Sequence, residues 1–124
     1  MTVTALVVDD SETLRIALAG LLEEGGLKVL QAENGAQGVE VWQAENANIN
    51  LVITGYNMPE MDGITMVRKI RSLPNGADVL VFMLTTESSP DLKTLGKEVG
   101  VKAWITKPYN GEKVMLAIKK LTGT

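Results

Sequence analysis

Val79-Leu80-Val81-Phe82-Met83-Leu84 is an unbroken apolar run closed off by Asp78 and Thr85. A strand with one wet face would alternate apolar and polar residues. A continuous run this short reads instead as a strand covered on both faces. Ala5-Leu6-Val7-Val8, Leu51-Val52-Ile53-Thr54 and Ala103-Trp104-Ile105-Thr106 read the same way, and Lys28 to Ala32 is a weaker strand. The stretches between them have helical character. Ser11 to about Glu24 puts Leu14, Ala17, Leu18, Leu21 and Leu22 on one expected inner face, and Gly25-Gly26 ends it. Asn34-Gly35 reads as a turn before a helix from Ala36 to about Glu45. Pro59 and Asp62-Gly63 mark a loop before a helix from Ile64 to Ser72 with Val67 and Ile70 inward, and Pro74-Asn75-Gly76 is a turn. Pro90-Asp91 opens a helix facing inward with Leu92, Leu95 and Val99, proline suiting a first helical position. Asn110 can cap a last helix with Val114, Ala117, Ile118 and Leu121 inward.

Strands and helices therefore alternate strictly, five of each. Doubly covered strands joined by helices form a parallel sheet, so the expected class is α/β, a doubly wound (βα)5 unit with strand order 2-1-3-4-5. The 124 residues are too few for a closed eight-stranded barrel and suit a single domain over 1–124. Composition removes several function classes. Without cysteine there is no disulfide or zinc-thiolate site, and without histidine the commonest general base and pH switch are missing. The net charge of −3 and short basic stretches such as Lys119-Lys120 argue against a nucleic-acid surface. No apolar run approaches the roughly 20 residues that span a bilayer. Met1-Thr2-Val3-Thr4 has no basic leader, so a cytoplasmic protein without a membrane partner is expected.

Open parallel sheets carry their chemistry at the carboxyl ends of the strands. The first strand ends in Asp9-Asp10. The adjacent carboxylates suit a hard divalent cation, and equally Asp10 or Ser11 could cap the following helix; the two are compatible. The fourth strand ends in Thr85-Thr86-Glu87 and the fifth in Thr106-Lys107-Pro108. Two carboxylates, a hydroxyl and an ammonium on one edge are the equipment for holding a phosphoryl group with Mg²⁺. One enzymatic reading is a Mg²⁺-dependent phosphatase with Asp9 or Asp10 as nucleophile, although such enzymes typically use Asp-x-Asp. The Asp-Asp-Ser turn is not the glycine-rich turn of a nucleotide site.

Asp9-Asp10, Asn57-Met58-Pro59-Glu60-Met61-Asp62-Gly63, Thr85 and Lys107-Pro108, in that order, resemble the response-regulator receiver family, and within it the CheY-like single-domain members. The resemblance runs from about Thr4 to Leu121. It implies a flavodoxin-like fold and a stand-alone, chemotaxis-type receiver of a two-component phosphorelay, a signalling module and not an enzyme. Asp9, Asp10 and the backbone carbonyl of Asn57 would hold Mg²⁺, Thr85 would be the switch hydroxyl, and Lys107 would contact the phosphoryl group. Trp104 takes the place of the switch aromatic, the alternative being a buried core tryptophan. Asn57 and Glu87 would flank the pocket, and Lys107–Pro108 would be cis. The implied partners are a histidine kinase and a downstream target protein, met as a monomer through the helix 4–strand 5–helix 5 face around Trp104. The sequence departs from the family where its phosphoacceptor aspartate stands: that residue is Gly55. Glycine can neither accept a phosphoryl group nor ligate a metal, so Mg²⁺ binding is expected to be weak. The hydroxyl of Thr54 should point to the other side of the sheet. Thr86, where the family usually has alanine or glycine, would narrow the pocket. Two alternatives stand open: a receiver that works by binding alone, and an ordinary regulator carrying a substitution at 55.

Overall fold

The computed structural model describes residues 2–123. Its elements are β1 (Thr4–Val8), α1 (Glu12–Glu24), β2 (Lys28–Ala32), α2 (Gly35–Glu45), β3 (Leu51–Thr54), α3 (Gly63–Arg71), β4 (Leu80–Thr85), α4 (Pro90–Glu98), β5 (Ala103–Thr106) and α5 (Gly111–Thr122). A 3₁₀ turn at Asn46–Asn48 follows α2. All four strand pairings are parallel and the order is β2-β1-β3-β4-β5, as the alternation of elements implied. Register brings the strand ends level, with Val8 beside Ala32 on one side and Thr54 on the other, and Thr85 beside Thr106.

Alternate strand residues feed two apolar layers. Leu6, Val8, Val52, Val81 and Met83 pack with Trp42 and Ile70, whereas Ala5, Val7, Ile53, Phe82 and Leu84 pack with Leu18, Val114 and Ile118. Helices α2 and α3 thus cover one face, α1 and α5 the other. Thr54 has the parity of Val52. Its fully buried hydroxyl is satisfied by donating to the Gly55 carbonyl at 2.8 Å.

Helix starts follow side-chain caps. Asn34, Asp62, Ser89 and Asn110 each accept the backbone N–H three residues on. Asn34-Gly35 is therefore a cap and a first helical residue, where the sequence suggested a turn. The inner faces also differ in phase from the apolar pattern. In α1 the buried residues are Arg15, Leu18, Ala19 and Leu22, while Leu14 is 39% exposed. In α4 the buried residue is Gly96, and Leu95 is exposed; in α5 Leu121 is exposed and Val114 and Ile118 are buried. The start of β4 shifts from Val79 to Leu80 because the Val79 carbonyl is taken by Arg71 Nη1 at 2.7 Å.

Candidate functional site

The site grows from the end of β1. Asp9 still donates its N–H to Ala32 O at 3.2 Å, so its side chain is held by the sheet, and the residue is only 7% exposed. Both carboxylate oxygens are engaged. Oδ1 accepts the Ser11 N–H at 2.9 Å, and Oδ2 accepts from Lys107 Nζ at 2.8 Å. Ser11 caps α1 by accepting the Leu14 N–H at 3.4 Å, which leaves Asp10 exposed at the same edge. Lys107 comes from the end of β5, where its N–H donates to Thr85 O at 2.9 Å and its bond to Pro108 is cis as expected.

Gly55 continues the β3 ladder through an N–H to Val8 O bond of 2.9 Å. A β-carbon there would meet Asp9 Oδ2 at 3.7 Å and Leu84 O at 3.8 Å, ordinary contact distances, and the backbone is outside the left-handed region. Residue 55 therefore faces Asp9 and has room for a β-carbon. Gly63 is the contrasting case: a β-carbon would collide with the Gly55 carbonyl oxygen. The loop between them closes with Gly63 N–H to Tyr56 O at 2.8 Å. Asn57 is exposed on this loop.

Thr85 is buried at the end of β4, and its hydroxyl accepts the Glu87 N–H at 3.3 Å. The Glu87 carbonyl in turn accepts the Trp104 indole N–H at 2.8 Å. Trp104 is half-buried, not a core residue, and its ring lies 3.0 Å from where a β-carbon on Gly96 would stand. A continuous contact path thus runs from the strand-end hydroxyl to α4. Thr86 is exposed and shares with Leu14, Lys107, Pro108 and Tyr109 a shallow cavity of about 340 Å³ beside the Lys107 chain. Burial, and then the Asp9 charge, push the Tyr109 phenol above its ordinary range.

Asp9 and Lys107 are therefore in contact with Gly55 facing them, Asp10 and Asn57 sit exposed at the same edge, and Thr85 and Trp104 meet through Glu87. Among the described residues no three acidic, histidine or cysteine side chains converge. The sequence reading missed Arg15, which is 8% exposed. Its Nη1 donates to Asp9 O at 2.9 Å and its Nε to Gln31 Oε1 at 3.1 Å. The available signal was a charged residue in phase with Leu18, Ala19 and Leu22.

A family model described as the response regulator receiver domain matches residues 5–119. The chain is similar to the chemotaxis protein CheY1 of Helicobacter pylori, 35% identical over 96% of each chain, and to the chemotaxis protein CheY of Bacillus subtilis, 33% identical over 93% of each. Among solved structures it resembles CheY4 of Vibrio cholerae, with a TM-score of 0.89, 32% identity, and coverage of 97% of this chain and 98% of that one. It also resembles a chain of the CheX–CheY–BeF₃–Mg²⁺ complex of Borrelia burgdorferi, with a TM-score of 0.90, 26% identity, and coverage of 97% and 89%.

Proposed function

Because this chain belongs to the response regulator receiver domain family, we propose that it is a chemotaxis-type receiver of a two-component system whose phosphoacceptor position is Gly55, and that it acts by protein contact. One observation carries the reading. Residue 55 faces Asp9 with ordinary contact room and a permissive backbone, yet has no side chain. An aspartate in that space would have its carboxylate beside Lys107 and Asp9; glycine supplies no attacking oxygen. In this reading Lys107 offsets phosphoryl charge and Thr85 donates to a phosphoryl oxygen. Trp104 passes the state of Thr85 to α4 through the Glu87 carbonyl. Target proteins meet the α4–β5–α5 face around Trp104, a histidine kinase is the upstream partner, and the chain works as a cytoplasmic monomer forming one domain over 1–124.

The oxygen-only donor set at the ends of β1 and β3 fits a hard cation. Asp9, Asp10 and the Asn57 carbonyl would hold Mg²⁺, which when bound supplies positive charge beside phosphoryl oxygens. The relative in the Borrelia complex, whose description includes BeF₃ and Mg²⁺, is the comparison that supports this assignment. With no carboxylate at 55, binding is weak. No observation favours the phosphatase reading: Asp9 is hydrogen-bonded by Ser11 and Lys107, and Asp10 stands exposed at the edge of the site.

The test is intact mass after treatment with acetyl phosphate and Mg²⁺. The unmodified chain should gain nothing at residue 55, and Gly55→Asp should gain one phosphoryl group, mapped to 55. A Gly55→Asp chain that stays unmodified while an ordinary receiver reacts would sink the assignment of this position.

A further inference from the structure

We infer that the Asn110–Gly111 pair between β5 and α5 is where this chain deamidates, ahead of its two other asparagine–glycine pairs, Asn34-Gly35 and Asn75-Gly76, and that the isoaspartate product uncaps α5. The inference does not rest on the pocket or on its proposed role. In the reaction hydroxide takes the proton of the glycine N–H, and that nitrogen attacks the asparagine Cγ. A C–N bond forms, the Cγ–Nδ2 bond breaks, and the side-chain nitrogen leaves as ammonia with a proton from water. A second water opens the cyclic imide at either carbonyl, giving aspartate or isoaspartate. Glycine favours the attack because it has no β-carbon to shield the nitrogen and its backbone turns freely. On that count the three pairs are alike, and the fold separates them.

Attack requires the glycine to swing toward the asparagine side chain. Gly35 and Gly76 are buried, and a β-carbon on either would collide with a backbone carbonyl oxygen, that of Met61 or that of Ile70. At Gly76 the attacking nitrogen is also engaged, since its N–H donates to Leu73 O at 3.0 Å, while Asn75 Nδ2 donates to Asn46 Oδ1 at 2.7 Å. Asn34 is half-buried. Its Oδ1 accepts the Gln37 N–H at 2.8 Å, and the Gln37 side chain accepts the Glu33 N–H in return. Position 110 is held less firmly. Asn110 is exposed, and its cap bond from the Lys113 N–H is 3.1 Å long. Gly111 is only half-buried, and what a β-carbon there would meet first, at 3.1 Å, is the flexible end of Leu21 and not a backbone atom. As the first residue of α5, Gly111 has an amide without an acceptor inside the helix.

Ageing the unmodified full chain in mildly alkaline buffer, with and without denaturing urea, tests this, read by peptide mapping that separates asparagine, aspartate and isoaspartate. In buffer, residue 110 should convert about tenfold faster than 34 or 75, because each further hydrogen bond that must open before attack slows the reaction by several-fold to about tenfold. In urea the three rates should converge. The inference is overturned if 34 or 75 converts as fast as 110 in buffer, or if all three convert only in urea. It is overturned equally if the same ranking persists in urea, which would place its cause in the local sequence. The product supplies a second readout. Isoaspartate carries an extra methylene in the backbone and loses the cap, so the Lys113 and Val114 amides, which donate to Asn110 Oδ1 and Asn110 O, should exchange faster in that fraction. Asn110→Asp keeps a capping oxygen and should leave their exchange as it is in the unmodified chain. Unchanged exchange in the isoaspartate fraction would overturn the loss of the cap.

Discussion

A β-carbon on Gly63 would strike the Gly55 carbonyl oxygen, whereas one on Gly55 would meet nothing nearer than 3.7 Å. The two glycines of one loop therefore answer to different constraints. Gly63→Ala should cost about 1–3 kcal/mol in urea unfolding, the usual range for forcing a methyl group into a packed site. Gly55→Ala should be neutral or stabilising by up to roughly 1 kcal/mol, through the smaller conformational freedom of the unfolded chain. Equal losses at both positions would mean that Gly55 too is sterically required. Tyr109 gives a pH-dependent case. Its folded pKa is raised, first by burial and then by Asp9. Above the unfolded value of about 10 the unfolded chain releases this proton more readily than the folded one. The contribution is therefore complete below pH ~10 and is lost as pH rises through the folded pKa. Tyr109→Phe should flatten that alkaline decline in unfolding midpoint; an unchanged slope would exclude Tyr109 as its source. Of the site residues, Asp9, Thr85 and Lys107 were legible because each ends a strand on the same edge of a recognisable sheet. Arg15 and the Glu87 carbonyl were not. Their roles depend on which side chain reaches across from α1 and β5, which strand order alone does not specify.

Helix faces show why apolar spacing locates an element better than its rotation. The α1 pattern suggested Leu14, Ala17, Leu18, Leu21 and Leu22 inward, but the helix turns to bury Arg15 with Leu18, Ala19 and Leu22. Two hydrogen bonds, to Asp9 O and Gln31 Oε1, compensate the burial of the charge, and Leu14 is left to line the cavity beside Lys107. In α4 a glycine takes the inner position because the Trp104 ring occupies the space. Arg71 does comparable work at the opposite end of the sheet. Its guanidinium donates to the carbonyls of Val99, Gly76, Ala77, Val79 and Gly100, at 2.9, 3.0, 3.4, 2.7 and 3.1 Å, joining α3 to the entry of β4 and the α4–β5 turn. Desolvation lowers its pKa, opposed by the nearby Asp78 charge, but the group stays protonated throughout the neutral range. Arg71→Ala leaves several part-buried carbonyls without a donor. It should cost about 2–4 kcal/mol in urea unfolding, with faster amide exchange confined first to the entry of β4 and the α4–β5 turn. A loss below ~1 kcal/mol would mean that water replaces the guanidinium without penalty.

At the scale of the molecule, the alternation of buried strands and amphipathic helices was enough to give the topology, because short right-handed connections leave few ways to wind five such units. The charge state of the strand-end pocket was not legible to the same degree, since it required knowing that Arg15 is buried beside it. That charge state governs how global stability responds to metal. Placing an aspartate at 55 acts in two directions. It removes a glycine from a position next to a strand, which favours the folded state by roughly 0.5–1 kcal/mol. It also adds a carboxylate facing Asp9, and a like charge at about 4 Å costs ~1 kcal/mol in water and ~4 kcal/mol at the effective dielectric of a protein surface. Lys107, shared between two carboxylates, offsets only part of this. In EDTA the Gly55→Asp chain should therefore be the less stable of the two. Mg²⁺ reverses the order, because a ligand that binds only the folded state adds stability as the logarithm of one plus its concentration divided by Kd, and the extra carboxylate lowers that Kd. The unmodified chain, with no carboxylate at 55, should show nearly the same urea midpoint in EDTA and in Mg²⁺. Four unfolding curves decide the matter, each chain with and without metal. A midpoint for the unmodified chain that rises with Mg²⁺ as much as that of Gly55→Asp would mean that residue 55 is not where the cation gains its affinity.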